Sequence, residues 1–185
     1  MNYRMLINKQ NKLKSGIQKK IRFITYIDST RQEAKLEKRT YKAFLRLQNF
    51  ALTKFNMEIG TEGAFRSFQH QKNLYRKFVE KYGKEYASKV VAPVGSSEHH
   101  TGLAFDVVIK VNDKYPESNL EIEKLSYLYE KLYPYLKDFG LIVRYPKGKE
   151  NITGYPYEPW HFRYVGKALA SRLYRQGQTL EEYYY

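Results

Sequence analysis

The chain has 185 residues, 42% of them apolar, enough for one domain with a sizeable core. It has no cysteine, so disulfides, thiolate metal sites, iron–sulfur clusters and cysteine nucleophiles are excluded together, and a transition metal would have to use histidine, aspartate or glutamate. Lysine and arginine number 33 against 19 acids, a formal net charge of +14 that favours polyanionic partners and does not bear on the fold.

Residues 1–30 are polar apart from a β-like run at Ile21–Ile27, and are read as an extension packed on, or leading into, a single domain over residues 31–185. Leu36, Ala43, Phe44, Leu47, Phe50, Ala51 and Phe55 recur at helical spacing and predict an amphipathic helix over about residues 32–56. Ser67 is placed to cap a second helix, with Phe68, Leu74, Tyr75, Phe78 and Tyr82 on its apolar face and a stop near Gly83. Leu103–Val111 reads as a buried strand. Ser118 to Glu121 has capping-box form and opens a third helix through Leu125, Leu128, Tyr129 and Leu132; Pro134 should kink or end it, and Gly140 closes the segment. Leu141–Tyr145 and Trp160–Val165 are short strand candidates, and Gly166–Arg175 and Thr179–Tyr183 are expected terminal helices. The class expected is α+β, a small antiparallel sheet flanked by helices.

Three of the four histidines fall in two motifs that each hold an acid. One is Ser97-Glu98-His99-His100-Thr101-Gly102-Leu103-Ala104-Phe105-Asp106, the other Glu158-Pro159-Trp160-His161-Phe162-Arg163. Two imidazoles and a carboxylate can hold zinc and leave one position for water, whose proton a further carboxylate can take. Strand alternation puts Ala104, Asp106 and Val108 on one face, where a carboxylate between apolar neighbours needs a compensating cation. Gly95 and Gly102 let the preceding loop fold back so that His99 meets Asp106. Pro159 holds Glu158 out of a helix, unlike the glutamate of a helical His-Glu-x-x-His site. A single buried histidine is usually a structural hydrogen-bonding group; the joint constellation carries the reading. His100 could stand in for His99 as ligand, but neighbours in extended chain point apart, which favours His99. His70 is not expected to be a ligand.

These motifs resemble those of the VanY-type D-alanyl-D-alanine carboxypeptidases, a group that includes L,D-carboxypeptidases of the LdcB kind, VanX dipeptidases and VanXY enzymes. Its pattern, Ser-x-His-x-x-Gly-x-Ala-x-Asp followed by Glu-x-x-His, is matched by Ser97, His99, Gly102, Ala104, Asp106, Glu158 and His161. Phe65-Arg66-Ser67 with Gln71, the stretch from Gly140 to Pro146, Tyr164-Val165-Gly166 and Leu6-Ile7-Asn8-Lys9 are similar too. The resemblance implies Zn2+ held by His99, Asp106 and His161, with Glu158 as base and later proton donor. It implies that Arg66 meets the scissile carbonyl or the substrate terminus, and that Ser97 and Gln71 contact substrate. Tyr157, beside the base, is expected to line the pocket, and Arg144 to be structural. His100 departs from the glutamine many relatives carry there.

The implied fold is the small α+β fold shared with the hedgehog N-terminal domain. The implied reaction is removal of a C-terminal D-Ala from peptidoglycan stem peptides or precursors, with D,D or L,D preference left open. The competing reading is a non-catalytic module that binds cell-wall peptides through a vestigial zinc site, drawing on the charge and the 19 tyrosines. No nucleic-acid partner is expected, because basic charge and aromatics come without a recognition motif. Neither a transmembrane segment nor a signal peptide is read, so the cytoplasm is expected, or the cell wall or exterior if a leader has been removed. A monomer is expected.

Overall fold

The computed structural model describes residues 2–14, 16–116 and 118–185. A hairpin of β1 (Phe23–Ile27) and β2 (Glu33–Glu37) pairs antiparallel, with Phe23 opposite Glu37. Helix α1 (Lys38–Phe55) follows directly, so the helix predicted from about residue 32 begins later. Residues 33–37 find backbone partners in β1 instead, and Leu36, which fitted the helical count, is buried as a strand residue. Glu37 fixes the start: its backbone is extended and its carboxylate accepts from the N–H groups of Arg39 and Thr40, donors that no helical turn would satisfy.

β3 (Ile59–Gly63) was not apparent from the sequence. Next come α2 (Phe68–Tyr82), capped by the Ser67 hydroxyl as expected, and α3 (Lys84–Val90). β4 (Ala104–Ile109) follows. The third predicted helix is split into α4 (Asn119–Lys124), α5 (Ser126–Glu130) and α6 (Tyr133–Phe139). Ser118 caps its start as expected, but Leu125 leaves helical geometry. Pro134 sits in the first turn of α6, where its missing N–H costs nothing, so it begins a helix rather than ending one. β5 (Leu141–Tyr145), α7 (Glu150–Thr153), β6 (Glu158–Tyr164), α8 (Lys167–Gln176) and α9 (Leu180–Tyr184) complete the order, α9 opened by a Thr179–Glu182 capping box.

The strands β3, β4, β6 and β5 lie side by side in that order, all antiparallel. The architecture is the expected α+β one. Phe105 pairs with Phe162 on the sheet face covered by α1, where Phe44 meets Phe105 edge-on at 5.5 Å. Asp106 pairs with His161, one position along, so both side chains leave the opposite face.

Two bulges then shape that face. Between β3 and β4 the register shifts at Glu62–Gly63, bringing Gly63 against Asp106; a Cβ at residue 63 would lie 2.2 Å from Asp106 Oδ2. Between β5 and β6, Val143 pairs with Phe162 but Tyr145 pairs with Glu158, so β6 carries extra residues. A regular strand would send Glu158 and His161 to opposite faces, and the bulge brings them together.

Ends of the chain pack onto the domain. Asn8 Nδ2 donates to Glu181 Oε1 at 3.2 Å, and Ile7 and Leu36 are among the fully enclosed side chains. Arg163 donates to the carbonyls of Tyr3 and Met5, and Arg144 to that of Ile7. Among the described residues no helix is long and apolar enough to cross a membrane.

Candidate metal centre

His99 lies in a single 3-10 turn, Glu98–Thr101, ended by Gly102 with φ 62. That left-handed residue packs where a Cβ would meet the Glu37 N–H nitrogen and the Phe23 ring, each at 2.8 Å, so glycine lets the turn press against the start of α1. His99 Nδ1 donates to the Ala64 carbonyl at 2.8 Å, which turns Nε2 inward to 3.4 Å from Asp106 Oδ2. His161 Nδ1 lies 3.0 Å from Asp106 Oδ1, and the two imidazoles meet edge to face at 4.9 Å. One donor atom from each of the three residues lies within 4.8 Å of the others.

The donor set fits zinc. Asp106 Oδ1 is buried without a hydrogen bond although His161 Nδ1 is close by, an unmet acceptor that a cation between the two would satisfy. A tetrahedral ion with bonds of about 2.0 Å separates neighbouring donors by about 3.3 Å, close to the spacings seen here. Burial lowers the His99 pKa to about 3, helped by Arg66 and His161, so this imidazole is neutral and ready to ligate. Burial opposes ionisation of Asp106, but His99, His161 and Arg66 outweigh it and bring the carboxyl down to about 2.

Glu158 Oε2 stands 3.5 Å from His161 Nδ1. Burial pushes its pKa up to about 7, Asp106 adding to this while His161, Arg66 and Arg144 resist. A carboxylate tuned to neutral pH can both take and return a proton. His100 is drawn away from the cluster: its Nδ1 donates to the Arg66 carbonyl at 2.7 Å, its Nε2 accepts from Gly95 N–H at 3.2 Å, and its ring stacks on Phe68. Both nitrogens are thereby used, which leaves His99 as the histidine of this motif that faces Asp106.

The cluster forms the floor of a cavity of about 320 Å³, lined also by Arg66, Gln71, Ser97, Tyr145 and Tyr155. Arg66 is tied to the site twice: its N–H donates to the His99 carbonyl, and its guanidinium donates to Gln71 Oε1 at 3.0 Å. Gln71 was expected to touch substrate, but its amide is taken at both ends, by Arg66 and by the Ala92 carbonyl. The Ser97 hydroxyl does not cap its turn. Tyr157 does not line the cavity: its hydroxyl meets that of Tyr133 at 2.8 Å, and Tyr145 and Tyr155 take the position expected for it. Tyr155 brings a buried hydroxyl without a partner.

Behind His161 lies a buried ion cluster the sequence reading did not foresee. Glu98 Oε2 faces His161 Nε2 at 3.7 Å, while Oε1 accepts from Arg144 at 2.7 Å and from Arg163. Arg144 also holds Glu181 through two nitrogens, at 2.8 and 2.6 Å. Glu98, Arg144 and Arg163 are essentially inaccessible to solvent. Asp106, Glu98 and Glu158 surround His161, and against the effect of burial they raise its pKa to about 9. The signal available in the sequence was the acid beside His99 and the arginine two residues after His161.

Two imidazoles and an aspartate converge beneath a buried glutamate and an arginine, in a cavity on a small antiparallel sheet, an arrangement able to hold zinc and activate a water beside it. The chain belongs to the VanY family of D-alanyl-D-alanine carboxypeptidases, whose model matches residues 33–167. YodJ of Bacillus subtilis (strain 168) is 34% identical over 184 residues, 97% of this chain and 66% of YodJ. The bifunctional D-Ala-D-Ala dipeptidase and carboxypeptidase VanXYC of Enterococcus gallinarum is 35% identical over 134 residues, 71% of this chain and 69% of that enzyme. The chain therefore spans about two thirds of the length of these relatives. A crystal structure of a D,D-pentapeptidase VanY mutant from a VanB-type resistance cassette, in complex with Zn(II), superposes with a TM-score of 0.80 at 27% identity, covering 100% of both chains.

Proposed function

We propose that the chain is a zinc-dependent carboxypeptidase that removes a C-terminal D-Ala from peptidoglycan stem peptides or their precursors. The observation that carries this reading is the convergence of His99, Asp106, His161, Glu158 and Arg66 on one cavity. His99 Nε2, an Asp106 oxygen and His161 Nδ1 hold the metal. Bound there, zinc supplies Lewis acidity toward a carbonyl oxygen and lowers the pKa of water. Glu158 takes the proton of the attacking water and hands it to the leaving amine. Arg66 offers a guanidinium to the substrate's terminal carboxylate or to the charge that develops on the scissile carbonyl oxygen. Gln71 acts through Arg66 by fixing its direction, and the Ser97 hydroxyl is available to substrate. The named activity of VanXYC on D-Ala-D-Ala supports the choice of substrate class.

The test is release of D-Ala by zinc-loaded protein from pentapeptide and tetrapeptide stems. Glu158→Gln should lower kcat by about 10²- to 10⁴-fold. Turnover retained by that variant refutes the assigned base, and no D-Ala from either stem refutes the reading as a whole.

A further inference from the structure

Helices α2 and α3 form a hairpin beside the cavity, and one stripe of it has no part in the chemistry above. Phe78 lines the cavity. From it aromatic rings continue outward, Tyr82 at 5.5 Å from Phe78 and Tyr86 at 5.3 Å from Tyr82, centroid to centroid. Tyr82 and Tyr86 are 48% and 51% exposed. Neither anchors the hairpin, whose buried side chains are Gln71 in α2 and Ala87 in α3. The Lys81 ammonium stands 4.9 Å from the Tyr82 centroid.

We propose that Tyr82 and Tyr86 form a glycan subsite that stacks on the sugar rings to which the stem peptide is attached. The inference rests on the peptidase reading above. One face of a pyranose presents a row of C–H groups, which the electron-rich face of a tyrosine ring attracts. The tyrosine hydroxyls and the Lys81 ammonium can bond the hydroxyl, amide and carboxylate oxygens at the sugar's edge. A substrate held by its C-terminus at the metal centre must leave the cavity toward its sugar-linked end. A tetrapeptide or pentapeptide stem leaves three or four residues upstream of its last bond, roughly 10–14 Å of extended chain, so the sugar stands well clear of the metal centre, on the length scale of the stripe that begins at the cavity-lining Phe78.

The experiment compares one stem peptide, free and carried on its disaccharide, as substrates of the zinc-loaded full chain. The wild type should show the lower KM for the disaccharide form. The pair Tyr82→Ser and Tyr86→Ser should raise that KM roughly fivefold, since an aromatic contact contributes about two- to tenfold, and leave kcat and the free-peptide constants alone. The pair Tyr82→Phe and Tyr86→Phe, which keeps the rings, should retain most of the preference. Equal KM values in the wild type, an unchanged KM in the serine pair, or equal impairment on both substrates overturns the subsite. Titration of the disaccharide alone, followed by the ring resonances of Tyr82 and Tyr86, is independent of turnover. Shifts confined to those rings support the subsite and their absence overturns it, whereas failure of the wild type on both substrates overturns the peptidase reading.

Discussion

Replacing Glu98 with glutamine removes one charge from a fully enclosed cluster while keeping the shape of the side chain. Burial opposes ionisation of Glu98, but Arg163 and Arg144 outweigh it and hold the carboxyl well below the usual range. After the substitution Arg144 keeps both contacts to Glu181, whereas Arg163 is left with the carbonyls of Tyr3, Met5 and Tyr164. Removing one partner of a buried pair costs about 3–5 kcal/mol, a large share of the ~5–15 kcal/mol that stabilises a domain. At a urea slope of about 2 kcal/mol/M, the unfolding midpoint should fall by roughly 1.5–2.5 M. His161 also loses the carboxylate behind its Nε2, so zinc affinity should drop about 10- to 100-fold in competition with a chromogenic chelator.

The pH dependence of that loss follows from the direction of the shift. Because the folded-state pKa of Glu98 is depressed, its contribution is fully present above the unfolded value of 4.5 and is lost as pH falls toward the folded one. Wild type and variant should therefore differ most at neutral pH and converge in acid. Adding Arg163→Met to the variant removes the stranded charge and should restore part of the stability. A midpoint within about 0.3 M of wild type, with zinc affinity intact, would refute the idea that this cluster braces the metal-facing histidine.

Two further outcomes follow from the floor of the cavity. Gly63→Ala places a methyl 2.2 Å from Asp106 Oδ2 and 2.9 Å from its Cγ, so the carboxylate must turn away. Chelator competition should show zinc affinity down by more than about 100-fold, beyond the loss of an outer partner alone, and an unchanged affinity would count against Asp106 as a ligand. Zinc uptake should also release a proton, because His161 on its own titrates at about 9 and must give up the Nδ1 proton to ligate. Apparent affinity should then rise about tenfold per pH unit up to roughly pH 9 and flatten above it, as read by calorimetry in buffers of different ionisation enthalpy; a flat profile from pH 7 to 9 would contradict this.

Much of the site could be read from the sequence because its chemistry is local. His99 and Asp106 are joined by one short turn and one strand, and Pro159 keeps Glu158 extended whatever surrounds it. The caps at Ser67 and Ser118 were legible for the same reason, each being a side chain serving a backbone group three residues on. What was missed depends on partners distant in the chain. Leu36 fits a helical count equally well, and only pairing with β1 makes it a strand residue. β3, with Gly60 and Gly63, carries little strand propensity and exists because β4 offers it an edge. The break at Leu125 and the start of α6 at Pro134 show packing overriding a continuous apolar stripe. The pairing of Glu98 with Arg144 and Arg163 spans 46 and 65 residues, beyond any motif window.

The clasp formed by Asn8, Arg144 and Glu181 bears on the order in which a growing chain can mature. A ribosome delivers Glu98, His99, Asp106 and His161 before residue 181, so the Arg144 guanidinium behind them has only Glu98, which it shares with Arg163, until its second acid has cleared the exit tunnel. A nascent chain thus holds its metal-facing groups with their support half built, and assembly of the pocket waits for α9 to dock.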